Sequence, residues 1–107
     1  MIRRYETAHS VRWHLLETRH GGVQLVKLKQ PNPREQLHTH SWGYVDVVLR
    51  GGYVELRRYH GLSVHVTVKR YSRRRSRDQH IITRLLDQPT WLVRFHGARV
   101  RRAIAHA

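Results

Sequence analysis

The chain contains no cysteine, which excludes disulfide bonds and metal sites built on thiolates. A metal ion would have to be bound by His, Asp or Glu. Acidic residues are scarce as well: seven Asp and Glu stand against 21 Lys and Arg, so the formal net charge at pH 7 is +14. With so few carboxylates, the chain has little material for glycosidase-type chemistry, which uses a pair of them.

Long apolar runs are also missing. The N-terminal segment MIRRYETAHS is charged and polar where a secretory signal has an apolar run. No stretch approaches the roughly 18 apolar residues that a membrane-spanning helix needs. We therefore expect a cytoplasmic protein that does not interact with membranes.

The excess of positive charge predicts an anionic partner, namely a small acidic substrate, a nucleic acid or an acidic protein. The densest positive segment contains Arg73, Arg74, Arg75 and Arg77. Like charges so close together repel one another, so we expect an exposed loop that binds an anion. The alternative is a solvated surface that reflects an Arg-rich coding background.

Apolar residues recur at every second position in several short runs, which is typical of β-strands joined by turns. In the clearest run Val64, Val66 and Val68 alternate with polar residues, and we expect these valines to be buried. Residues 10 to 19 fit either a short capped helix or a strand, and the alternation of their apolar residues favours the strand.

The turn signals predict how some strands pair. Val45 to Leu49 and Tyr53 to Tyr59 flank a Gly-Gly pair, which indicates a β-hairpin. Ile81 to Leu86 and Trp91 to Phe95 form a second expected pair, joined by the turn sequence DQPT. So many strands leave no room for the long crossovers of a parallel sheet. The sequence predicts one all-β domain over residues 1–107, either a sandwich or a closed barrel.

His38 and His40 lie one residue apart in the segment LHTHSWGYVDVV. On a strand this spacing directs both imidazoles to the same face. Two neutral imidazoles so placed suit a divalent transition metal. The chain has ten histidines, so the alternative is a pair on a wet strand face.

The run HTHSWGYVDVVLRGGYVE, followed by a basic segment and RSRDQHIITRLLDQPTWLVRFHG, resembles the two characteristic stretches of the cupin superfamily, especially its small bacterial and phage-borne members. His38 and His40 match the first histidine pair, Gly52 the closing glycine, and His80 the second-stretch histidine. The resemblance implies a small jelly-roll barrel with these three histidines as metal ligands. Fe, Zn, Ni or Mn would suit such a centre and keep open positions for water or substrate.

The chain also departs from the cupin pattern. Val45 stands where the family has a carboxylate ligand, and Asp46, one residue later, is expected to point to the opposite side by strand alternation. Arg75 and Arg77 replace a proline and a glycine, and Arg84 replaces an asparagine. The fourth ligand is therefore missing, and the centre is either a three-histidine metal site or one that has lost its chemistry.

Two functional hypotheses remain open. In the first, the protein is a metal-dependent dioxygenase or isomerase acting on a small acidic substrate, with Trp42, Tyr44 and Arg94 shaping the pocket. In the second, the barrel is a basic binding module for nucleic acid, an acidic protein or a phage-related assembly. The resemblance to cupins also implies a homodimer. Trp13 and Trp91 are either core or rim anchors or platforms for stacked bases.

Overall fold

A computed structural model describes residues 2–31, 43–59, 61–74 and 79–97 of the chain. Its regular elements are all β-strands, which confirms the all-β prediction. In chain order they are β1 (Arg3–Glu6), β2 (Ser10–Thr18), β3 (Gly21–Leu28), β4 (Tyr44–Arg50), β5 (Tyr53–Tyr59), β6 (Leu62–Val68), β7 (Tyr71–Arg74), β8 (Gln79–Leu85) and β9 (Thr90–Gly97). No helix in the described part of the chain is long and apolar enough to cross a membrane.

The described strands form two antiparallel sheets. The large sheet has the order β1-β2-β3-β9-β4-β7, and the small sheet has the order β6-β5-β8. Side chains from both sheets meet between them and build a shared apolar cluster, whose members are Val26, Leu28, Leu92, Tyr53, Val68 and Leu85. This double-sheet architecture agrees with the predicted jelly-roll class.

The expected hairpin between β4 and β5 is wrong. Strand β4 pairs with β7 and β9 in the large sheet, whereas β5 pairs with β6 and β8 in the small one. Gly51 and Gly52 have φ angles of 89° and 142°, and a Cβ on Gly52 would lie 2.5 Å from the carbonyl oxygen of Val68. The glycine pair thus lets the chain pass from one sheet to the other instead of folding back on itself.

The expected pairing of β8 with β9 is also wrong. The chain bends between them, but β8 pairs with β5, while β9 lies between β3 and β4. A turn sequence specifies local reversal and not the sheet that each strand then joins. Strand pairing here depends on contacts between residues far apart in the chain.

Two local expectations have different outcomes. Residues 10–18 form strand β2, as the alternation favoured. The valines of β6 are buried only at one end: Val68 is 3% exposed, whereas Val64 is 44% exposed. Strand β6 is an edge strand of the small sheet, and its far end is not covered by the core.

The arginine-rich segment is not wholly a loop. Arg73 and Arg74 belong to β7, which pairs with β4, so the expectation of a loop is wrong for these two residues. Arg75 and Arg77 lie outside the described residues.

Candidate functional site

The interior between the sheets is apolar at one end and polar at the other. The apolar end contains Val26, Leu28, Leu92, Val68 and Leu85. The polar end is built by buried residues from both sheets, namely Tyr44, Asp46, Glu55, His80 and Arg94. Both groups lie on the inner faces of the sheets. Along a strand, the inward-facing residues occur at every second position, because side chains alternate between the two faces.

Asp46 and Arg94 form the centre of the polar end. They are register partners on β4 and β9, and Asp46 is 0% exposed. Arg94 donates two hydrogen bonds to the carboxylate, Nε to Oδ1 at 2.7 Å and a terminal nitrogen to Oδ2 at 3.0 Å. Burial acts to lower the pKa of Arg94, but the adjacent Asp46 carboxylate outweighs it and raises that pKa overall. The two groups form a bidentate ion pair.

The small sheet completes this ion pair. Tyr53 on β5 is buried and donates its hydroxyl proton to Oδ2 of Asp46 at 2.9 Å. Burial raises the pKa of Tyr53, so its hydroxyl stays protonated and remains a donor. The Asp46 carboxylate therefore accepts hydrogen bonds from both sheets, which compensates for its complete burial.

Tyr44 connects Arg94 to His80. The guanidinium carbon of Arg94 lies 4.2 Å from the centre of the Tyr44 ring, within cation–π distance. The Tyr44 hydroxyl lies 3.0 Å from Nε2 of His80, which is 4% exposed. Burial raises the pKa of Tyr44 well above its ordinary range, so the phenol keeps its proton.

Glu55 and Arg57 form a second ion pair at the polar end. Arg57 Nε donates to Oε2 of Glu55 at 3.1 Å, and a terminal nitrogen of Arg57 donates to the Ser72 hydroxyl at 3.1 Å. Ser72 lies on the large sheet, so Arg57 bridges the two sheets. Burial raises the pKa of Glu55, and the charges of His80 and Arg57 partly offset that effect.

Three of the residues named from the sequence meet here. His80, Tyr44 and Arg94 all lie inside, and Tyr44 contacts both of the others. The other two histidines of the expected triad, His38 and His40, lie outside the described residues, as does Trp42. Their assignment as ligands and pocket residue stays a prediction. Among the described residues there is no cluster of three or more His, Asp or Glu that could hold a metal ion.

The expectation that Asp46 points away from the centre is wrong. Alternation does hold along β4, but the inward residues are Tyr44 and Asp46, and Val45 is the partly exposed one between them. Counting from the cupin pattern places Val45, one residue earlier, at the inward position. The polar end consequently contains a carboxylate, although Arg94 and Tyr53 already bind both of its oxygens.

Sequence reasoning missed Glu55, Arg57 and Ser72. The signal was present in β5, where Tyr53, Glu55 and Arg57 occupy alternate positions and therefore share one face. A Glu two positions before an Arg on one strand face can form an ion pair, but the spacing does not tell whether that face is buried. Apolar residues between them lie on the other face of the strand, so β5 has the pattern of an ordinary amphipathic strand.

No protein-family model and no curated protein matches the sequence. Solved structures do match it. HEPD from Streptomyces albus, solved with 2-hydroxyethylphosphonate and Fe(II), has a TM-score of 0.72 at 15% identity over 94% of this chain. The capsular polysaccharide assembling protein CapF from Staphylococcus aureus has a TM-score of 0.72 at 13% identity over 92% of this chain. These structures are cupins.

The chain has a cupin fold. KdgF from Halomonas sp., with a TM-score of 0.68 and 12% identity, is matched over 94% of this chain and 92% of its own length. The chain spans only 25% of the HEPD chain and 28% of the CapF chain. Identities this low establish the cupin architecture of the chain, whereas its chemistry depends on its own residues.

Proposed function

We propose that this cupin-fold protein binds a small acidic molecule at the polar end of its interior, beside a divalent metal held by His38, His40 and His80. The proposal rests on the burial of His80 between the sheets, where it lies within hydrogen-bond distance of Tyr44. The resemblance to cupins singles out this histidine from a distant part of the chain. A histidine pointing to solvent would have removed the basis of the proposal.

The side chains at the polar end favour imidazoles over carboxylates as ligands for a metal ion. Asp46 is bound by Arg94 and Tyr53, and Glu55 is bound by Arg57. A carboxylate used in this way has little capacity left for a metal. His80 fits the role, and Fe, Zn, Ni or Mn would suit a site composed of neutral imidazoles. When bound, such a metal would supply Lewis-acid or oxygen-activating chemistry.

The charges of the interior favour an anionic ligand. Among the described residues, three guanidinium groups face inward, those of Arg12, Arg57 and Arg94. The inward-facing carboxylates of the described residues are those of Asp46 and Glu55. A guanidinium is a good partner for the acidic group of a small ligand, because it offers several N–H donors together with a positive charge. The chain's own residues would thus bind and orient the acid, while Tyr44 holds a proton at its hydroxyl beside His80.

Gln24 adds a recognition group for a hydroxyl. It is 3% exposed, lies on β3 beside Arg94 in register, and its amide oxygen has no hydrogen-bond partner among the described residues. A buried acceptor of this kind gains most from a ligand that brings a donor. HEPD, a cupin solved with a hydroxy-phosphonate and Fe(II), supports a ligand that combines an acid with a hydroxyl group.

Metal analysis of untagged full-length protein tests the metal part of this proposal. We expect about one divalent transition metal per chain, and we expect His80→Ala and His40→Ala each to lose most of it because each removes one of three ligands. His65→Ala is the matched control, since His65 lies on β6 with an exposed side chain. Wild-type protein that stays free of metal after supplementation, or ligand variants that keep it, would contradict the assignment.

Ligand binding tests the acidic-substrate part separately. We expect 2-hydroxyethylphosphonate or glucose 6-phosphate to bind the metal-loaded protein in calorimetric titrations, and Gln24→Leu to weaken the binding about 5-fold to 10-fold by removing one hydrogen bond. The neutral analogue ethylene glycol serves as the control ligand. Equal binding of the neutral and acidic compounds would reject the charge argument while leaving the metal site intact.

A further inference from the structure

The outer face of the large sheet is the second surface with a distinctive composition. The small sheet packs against the inner face of the large sheet. The opposite side carries one continuous row of register partners that crosses all six strands, in the order Arg4, Trp13, Leu25, Val93, Val47 and Tyr71. We call this side the outer face. An antiparallel sheet with one solvated face usually shows polar residues there, so this apolar row indicates an interaction surface.

Aromatic rings and cations alternate at one end of the outer face. Trp13 and Trp91 stack with their ring centres 5.8 Å apart and their planes 12° from parallel. Arg4 lies 5.9 Å from the Trp13 ring, and Lys27 lies 5.6 Å from the Trp91 ring. Two further aromatic residues on this face have large exposed fractions, namely Phe95 with 47% and Tyr71 with 73%.

The described acidic residues are either buried or bound to basic residues. Of the described acids, Asp46 and Glu55 are buried between the sheets. The remaining three lie at the surface, and each is in contact with positive groups: Glu6 with Arg4 and Lys29, Glu17 with Arg3, and Asp87 with Arg50. The buried carboxylates are paired with Arg94 and Arg57, so their burial leaves the exterior with the strong positive excess of the chain. This excess favours a polyanion.

We propose that the outer face binds single-stranded nucleic acid, with bases stacked on its exposed aromatic rings and a phosphate held by Lys27. Every base offers a flat ring, so aromatic platforms flanked by cations bind single strands with little sequence preference. A second copy of this chain fits less well, because it would bring two positive faces together. An acidic protein would match the charge, but its carboxylate side chains offer no rings to stack on Phe95 and Tyr71.

This surface differs from the one that the sequence suggested. The arginine-rich segment was the expected anion-binding site, and only its first two residues lie in the described strand β7. The outer face includes Tyr71 of β7, but its other aromatic and basic residues come from β1, β2, β3 and β9, which are far apart in the chain. The proposal is independent of the metal site, since the polar end lies on the other side of the same sheet.

Titration of the full untagged chain with a labelled 20-nucleotide oligo(dT) and an oligo(U) of equal length tests the proposal by fluorescence anisotropy. We expect both to bind, and we expect the affinity to fall linearly with salt concentration on a double-logarithmic plot. Tyr71→Ala and Phe95→Ala should each weaken binding about 5-fold to 150-fold, the range for one stacked base. Leu62→Ala is the matched control, because Leu62 is 70% exposed on the small sheet.

The contribution of charge is tested by a second pair of variants. Lys27→Gln should reduce the salt slope by about 0.7, the value for one phosphate contact on a single strand, whereas Arg58→Gln on the small sheet should leave the slope unchanged. Circular dichroism checks that each variant is folded, and Tyr71→Ala replaces a side chain so exposed that folding should not depend on it.

Three results would overturn the proposal. The first is poly-L-glutamate binding as tightly as oligo(dT), with the same response to Tyr71→Ala, since that would mean attraction to charge without base stacking. The second is a dimer in sedimentation that dissociates in Phe95→Ala, which would make the outer face a contact between copies. The third is oligonucleotide binding that neither aromatic variant changes.

Discussion

The two ends of the interior are stabilised by different forces. At the apolar end, Val26 and Leu92 are completely buried and gain stability from the removal of apolar surface from water, which requires no particular orientation. At the polar end, Asp46 and Arg94 are equally well buried, but their burial is favourable only while each hydrogen bond is made. One end therefore tolerates substitutions of similar size, while the other requires specific partners.

The difference also separates stability from function. An apolar cluster can be repacked with other apolar residues. A polar cluster of two ion pairs and a hydrogen bond between Tyr44 and His80 is expensive to bury, and such groups concentrate at functional sites. The following predictions test whether the two ends respond as differently as their chemistry implies.

Removing the guanidinium from the polar end should have the strongest effect. Arg94→Met leaves the Asp46 carboxylate buried without its ion-pair partner, and we expect a loss of about 3 to 5 kcal/mol in the free energy of unfolding, measured by urea denaturation. The double variant Asp46→Asn/Arg94→Met removes the orphaned charge and should recover part of the loss. A single variant that loses less than about 1 kcal/mol would contradict the role given to this ion pair.

At the apolar end, Leu92→Ala should cost about 2 to 5 kcal/mol, because it removes apolar contacts and leaves a cavity beside Val26. Leu92→Met, of similar volume, should cost less than about 1.5 kcal/mol. Urea denaturation measures both variants. The apolar end would be misassigned if the methionine variant were as unstable as the alanine variant.

A smaller effect is expected from Tyr53→Phe. This change removes one hydrogen bond to the Asp46 carboxylate but leaves both bonds from Arg94, so we expect a loss of about 1.5 to 3 kcal/mol. Tyr5→Phe provides the control, because Tyr5 is half exposed and its hydroxyl should contribute little. Equal stability of the two phenylalanine variants would mean that the Tyr53 hydroxyl does not stabilise the ion pair.

Glu55 should produce the mildest effect, visible as a pH dependence of the metal-free protein. Its pKa is raised above the ordinary 4.5, mainly by burial, so the folded chain binds this proton more tightly than the unfolded chain does. The free energy of unfolding contributed by Glu55 therefore falls as pH rises from 4.5 through the raised pKa, and is constant above it. Glu55→Gln should flatten this part of the curve.

The control for that experiment is Glu6, whose pKa is lowered by Lys29 and Arg4. Its contribution has the opposite sign, since it is lost as pH falls through the lowered pKa. Glu6 is fully exposed to the solvent, so Glu6→Gln should change the curve little. A profile that Glu55→Gln leaves unaltered would show that its proton affinity is the same in the folded and unfolded chains.

The strands were predictable because alternation is a local property. Strands β2 and β9 follow from their own apolar periodicity, and so does the all-β class. Pairing was not predictable in the same way. The chain turns at Gly51-Gly52 and again before Thr90, but at each place the next strand joins a different sheet from the one before it. Local signals mark a change of direction and cannot identify the distant partner.

The candidate site was likewise predictable only in part. The resemblance to cupins selects His80, and the sequence also points to Tyr44 and Arg94 as pocket residues. The bidentate pairing of Arg94 with Asp46 is not predictable in this way, because the orientation of Asp46 depends on which residue of β4 faces inward. Glu55 and Arg57 escape sequence reasoning for a similar reason, since an ordinary amphipathic strand and a buried ion-pair strand look alike until the facing sheet is known.

Composition and periodicity were sufficient to establish a strongly basic, cysteine-free, all-β chain, since these are properties of residues and their immediate neighbours. The assignment of strands to two sheets, the burial of Asp46 and Glu55, and the row from Arg4 to Tyr71 emerged only on folding. Each of them depends on residues tens of positions apart meeting at the correct register, and a shift of one residue would turn every side chain of a strand to the opposite face.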